Sequence, residues 1–124
     1  MKRDMDLVRN LLLAIERDPQ LDGSVWKRPD GPEDWEITGC NEVEMAYHLR
    51  MLIEEGLVDG DETLSSPMPS VSRLTWNGHE FLDDIRDPSV WASVKQRAGI
   101  LASVGLAIIG ELAKAEIKKR LGLP

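Results

Sequence analysis

Apolar residues spaced three and four apart mark the first segment of the chain as a helix. In MKRDMDLVRNLLLAIER, Val8, Leu11, Leu12 and Ile15 fall on one side, and Asp4 or Asp6 can serve as N-cap. Asp18-Pro19 stops it, because the residue before a proline is pushed out of the helical region. Residues 20–34 have no period and carry Gly and Pro breakers, which makes them a loop or turn excursion. Trp35 and Ile37 alternate with Glu36 and Thr38, the pattern of a short strand before Gly39. The strongest signal follows in NEVEMAYHLRMLIEEGLVDG, residues 41–60. Asn41 and Glu44 stand in capping-box spacing, and Val43, Ala46, Leu49, Leu52 and Ile53 share a helical face. Gly56 supplies a left-handed stop, and Leu57-Val58 resumes as strand. Turn chemistry at 59–61 and 65–70 separates that strand from a return strand over 71–74. Thr75 then caps a helix with Phe81, Leu82 and Ile85 at its core edge. Asp87 ends that helix and caps the next, with Pro88 in its first position.

From Ser89 the pattern is helical to the end. One continuous helix to Leu121 would be about 50 Å long. Ala98 to Gly110 is a run of 13 uncharged residues. A bilayer span needs about 20, so no membrane helix is expected. Gly99, Ser103 and Ala107 stand four apart, a stripe that admits close helix approach. Leu101, Val104, Ile108 and Leu112 form a larger apolar stripe beside it. Either the segment packs on its own body or it pairs two chains. Because residues 1–88 already supply three helices and a hairpin, the reading taken is a homodimer through these seven residues.

The elements describe an α+β chain: a winged helix-turn-helix-like domain over 1–88, with its second helix shortened or missing, then a C-terminal helical segment over 89–124. Charge sharpens this division. Residues 1–88 hold 9 Lys and Arg against 20 Asp and Glu, whereas residues 89–124 hold 6 against 2. An acidic body grips phosphates poorly, since DNA affinity leans on cationic contacts. A single cysteine, Cys40, leaves no intrachain disulfide framework and suits a reducing cytosol. The charged N-terminus is not a secretory signal, so a cytoplasmic protein is expected.

Three blocks, MKRDMDLVRNLLLAIE, GCNEVEMAYHLRMLIEEGLVDG and LTWNGHEFLDDIRDPSVW, resemble an uncharacterised family of small bacterial and prophage-encoded proteins. The resemblance spans roughly residues 1–92. More distantly, the second and third blocks look like the recognition helix, wing and following helix of bacterial winged-helix repressors, with Trp76 where a proline is usual. It implies a winged-helix fold and a prophage or mobile-element setting, and it carries no activity with it.

Candidate chemistry is sparse. Cys40, His48 and His79 match no metal-ligand spacing, so no metal or cofactor is expected. Each histidine reads as a half-exposed, locally hydrogen-bonded side chain. Glu54-Glu55 and Asp83-Asp84 are sequence neighbours, which on a helix do not face each other. With no nucleophile triad or phosphate-binding loop, an enzyme is not expected. Cys40 precedes a helix N-cap, where backbone N–H groups can lower a thiol pKa, but a small buried residue is the more common outcome. Trp26, beside Lys27-Arg28, is an aromatic suited to a partner. The outward face of the 41–55 helix is read as Glu44, Tyr47, His48, Met51 and Glu55, with Arg50 at its flank and Arg73 contributed by the wing. Two functions follow. One is a DNA-associated transcriptional regulator of a prophage or mobile element, binding double-stranded DNA, favoured by Lys2, Arg3, Arg50 and Arg73. The other is a winged-helix protein-interaction module that does not bind DNA, favoured by the carboxylates that bracket that face.

Overall fold

The computed structural model describes residues 1–62, 66–98 and 105–124 and divides into two units, Met1–His79 and Glu80–Pro124. The first begins with α1 (Met5–Arg17), where the Asp4 carboxylate accepts the N–H groups of Asp6 and Leu7 at 3.0 and 3.3 Å. Leu7, Val8, Leu11, Leu12 and Ile15 are buried on its inner side. The loop that follows is attached to the later hairpin by backbone. Lys27 and Val71 exchange N–H···O bonds of 2.8 Å in an isolated antiparallel bridge, and the Gly23 N–H reaches the Ser72 carbonyl.

The alternation at Trp35 and Ile37 does not make a strand. Pro32–Trp35 forms one turn of 3₁₀ helix, because proline presets the first helical φ and the N–H groups of Asp34 and Glu36 bond back to Gly31 and Glu33. Glu36 then takes a left-handed conformation, φ 55°, which turns the chain so that Trp35 and Ile37 are both buried. The Arg17 guanidinium donates to the Trp35 carbonyl at 2.9 Å and ties this turn to the end of α1.

Helix α2 (Glu42–Glu54) is built as its caps require. Asn41 accepts the Glu44 N–H at 2.9 Å, and Glu44 accepts the Asn41 N–H at 3.1 Å. Past its end Gly56 has φ 79°. Its buried face differs from the sequence reading. Met45, Ala46, His48, Leu49 and Leu52 are inside, while Val43 is 66% exposed and Ile53 is half-buried. Val43 lies two residues, or about 200° of helical rotation, from Met45. A single stripe cannot hold both.

β1 (Val58–Asp61) and β2 (Ser70–Leu74) form an antiparallel hairpin with an irregularity between Asp59 and Gly60. A side chain at position 60 would strike Ile53 and stand 2.9 Å from the Ser70 carbonyl oxygen, so glycine is favoured there. Asp59 and Arg73 are register partners and pair at 2.7 Å. Thr75 locks the next helix, α3 (Trp76–Ile85), onto the turn after α2. Its N–H donates to Leu57 O at 3.0 Å, its hydroxyl donates to Gly56 O at 2.5 Å, and the same oxygen accepts the Gly78 N–H at 3.0 Å.

The boundary between the units falls inside α3. In the second unit Leu82 and Ile85 are fully buried and Phe81 is half-buried. Asp87 caps α4 (Pro88–Ala98), accepting the N–H groups of Ser89 and Val90. The single helix expected from Ser89 to Leu121 is two. α5 (Leu106–Arg120) starts at Gly105, whose backbone is extended. The helices run antiparallel: Arg97 pairs with Glu116 at 3.0 Å, and Arg120 reaches back to Ser89 at 2.8 Å. Among the described residues no helix is long and apolar enough to cross a membrane.

Candidate partner-recognition surface

The outward stripe of α2 is set by its caps and its buried face. With Met45, Leu49 and Leu52 inside, the residues turned outward at helical spacing are Val43, Tyr47, Arg50 and Glu54. Tyr47 is 37% exposed, and its ring meets the edge of His48. Arg50 is half-buried and donates to the Pro67 carbonyl at the return of the hairpin.

His48 does not belong to that outward face. It is 1% exposed, its Nδ1 lies 2.7 Å from the Glu44 carbonyl, and its Nε2 accepts the Asp4 N–H at 2.8 Å. The neutral tautomer with hydrogen on Nδ1 satisfies both partners at once. A histidine expected to bond only within its own helix therefore joins α2 to the start of α1, 44 residues away. Nothing local in the sequence marks this. Of the other residues expected on that face, Glu44 takes part in the capping box, Met51 is half-buried, and Arg73 is exposed and pairs with Asp59.

Cys40 is half-buried, and its surroundings oppose thiol activation. Burial pushes the Cys40 pKa up, and the negative charges of Glu44, Asp4 and Glu33 push it further in the same direction. Among the described residues no three His, Cys, Asp or Glu side chains are grouped to hold a metal. Trp35 and Trp91 are buried, whereas Trp26 is 61% and Trp76 is 77% exposed.

Of the seven residues assigned to a dimer contact, Gly99, Leu101, Ser103 and Val104 lie outside the described residues. Ala107 and Ile108 are exposed and Leu112 is half-buried. The side of α5 that is buried consists of Ile109, Gly110, Ala113 and Glu116. Glu116 is the buried acid of that unit, held by Arg97 and by Arg120 at 3.0 Å each. Its pKa lies below the ordinary 4.5, chiefly through the Arg120 hydrogen bond.

The outward surface of α2 carries an exposed valine, a tyrosine, a half-buried arginine and flanking carboxylates. Residues 2–104 match the family described as hypothetical protein (DUF2513). A Haemophilus influenzae relative, named as an uncharacterized protein, is 39% identical over 97 residues, which cover 77% of this chain and 76% of the relative. No solved structure matches the chain.

Proposed function

The chain belongs to the DUF2513 family of hypothetical proteins, and we propose that its first unit is a winged-helix module whose α2 recognises another protein. The element order supports the winged-helix reading: α1, a single backbone bridge, one 3₁₀ turn where a second helix would stand, α2, the hairpin and α3. The protein-partner reading is carried by the outward stripe of α2. Val43 is 66% exposed at its first turn and Glu54 closes its last. A helix entering the major groove needs free Arg, Lys, Asn or Gln at the base edges. Here the face offers one arginine, Arg50, which already gives part of its guanidinium to Pro67 and stands beside Val43 and Glu54, and the wing's Arg73 pairs with Asp59.

A photocrosslinking residue in place of Tyr47 tests this reading in cells. The expected product is one discrete protein adduct that disappears when Val43→Asp is added. Duplex DNA bound more tightly than about 1 μM, with a steep salt slope, would overturn it, because that exceeds ordinary non-specific affinity. One observation favours that second reading, a DNA-associated regulator of a prophage or mobile element. Its support is the element order, which resembles that of domains that lay a helix in the DNA major groove. We further propose that Ala107, Ile108 and Leu112 contribute to a homodimer contact, since α5 leaves them outside its buried side.

A further inference from the structure

Beside α2 runs a groove of about 420 Å³ whose charges are sorted by sign. The acidic end is made by Glu42, in the first turn of α2, and by Asp30. The Glu42 side chain lies over Gly31, where an added Cβ would stand 3.2 Å from its Cγ. The basic end lies two turns further along α2. There Arg50 donates to the Pro67 carbonyl, and Arg28 donates through Nε to the Met68 carbonyl at 3.0 Å. Two consecutive carbonyls thus bring two guanidiniums to one place. Between Glu42 and Arg50 along the helix stand Val43 and Ala46, and Pro29 and Met68 line the same groove.

Among the described residues none of these four charged groups has an oppositely charged side chain within 4.0 Å. Each arginine spends one N–H on a carbonyl, and the rest of its fork remains available to a carboxylate. Eight residues of helix separate Glu42 from Arg50, about 12 Å along the axis. An extended chain covers that distance in about four residues, and its alternate side chains point the same way.

We infer that the groove takes an extended segment of a partner protein bearing a basic, an apolar and an acidic side chain at alternate positions. The basic group meets Glu42 and Asp30, the apolar group sits on Val43 and Ala46, and the acidic group enters the fork of Arg28 and Arg50. The inference rests on the protein-recognition reading above and names the chemistry of the partner.

The test is selection of a random heptapeptide phage library on the full chain, followed by fluorescence anisotropy with the enriched peptide. The expected peptides share the basic–apolar–acidic pattern at alternate positions. Arg50→Glu should weaken the enriched peptide about tenfold, the order expected for one charge pair, and a peptide with its acid changed to lysine should recover that loss. Glu42→Lys, at the opposite end and on a different contact, should be rescued by the reciprocal peptide. It keeps the test open if Arg50→Glu loses its fold. Enriched peptides without the pattern, or binding indifferent to both variants, overturn the groove assignment. If such peptides are still lost with Val43→Asp, α2 remains a protein-recognition helix and only the groove falls. No enrichment, with duplex DNA bound instead, removes both.

Discussion

Gly78 poses opposite predictions from helix propensity and from packing, and Gly78→Ala separates them. Inside α3, alanine should gain about 1 kcal/mol over glycine from backbone entropy alone. The structure opposes this. A Cβ at position 78 would stand 3.0 Å from the Leu57 carbonyl carbon and closer still to its oxygen. Ordinary carbon contacts are about 3.5–4.0 Å, so α3 would have to move away from the turn after α2. That turn holds α3 through the Thr75 N–H to Leu57 and the Thr75 hydroxyl to Gly56. Loosening these two bonds costs about 1 kcal/mol each, and residual overpacking adds about 1–3 kcal/mol. After the propensity gain, the net loss is about 2–4 kcal/mol. Urea unfolding followed by circular dichroism measures it, and a thermal scan should show a drop on the order of 10 °C. A Gly78→Ala variant as stable as the parent, or more so, would refute the close approach of α3 to Leu57.

Four other changes probe the remaining joints. His48→Leu should cost about 1–3 kcal/mol, because the Asp4 N–H loses its acceptor; a smaller loss than Asn10→Ala, an exposed control on α1, would mean that the cross-helix bond is not formed. Leu49→Ala, at 0% exposure, should cost about 2–5 kcal/mol in denaturant unfolding, and a loss under about 0.5 kcal/mol would undo the burial of that face. Glu116 has a folded pKa below 4.5, so its stabilisation is present above 4.5 and is lost as pH falls through the folded value. The melting difference between the parent and Glu116→Gln should therefore be largest near neutral pH and shrink below 4.5, and a difference that grows on acidification contradicts the assigned cause. Ile108→Asp should yield monomer by light scattering with the body still folded; a native chain already monomeric at high micromolar concentration removes the dimer proposal.

The local chemistry of this chain was legible because each piece is settled within a few residues. Asn41 with Glu44, Gly56, and Asp87 with Pro88 act on backbone groups two or three positions away, and each does so as its residue type requires. The α+β class followed from those punctuation marks together with the hairpin turns. Tertiary structure decided what such rules do not reach. Alternation at Trp35 and Ile37 resembles a strand, yet Pro32 and the left-handed Glu36 bury both side chains from a single helical turn. The sequence face drawn through Val43 was rotated, because a neighbouring stripe containing Met45 and His48 is as apolar once His48 receives a hydrogen bond from Asp4. Helical periodicity after Ser89 could not reveal the reversal between α4 and α5, which is held by Arg97 and Glu116 across 19 residues. In each case the deciding partner lies outside the window in which backbone propensity acts: burial and long-range hydrogen bonds choose among faces that the local pattern leaves equivalent.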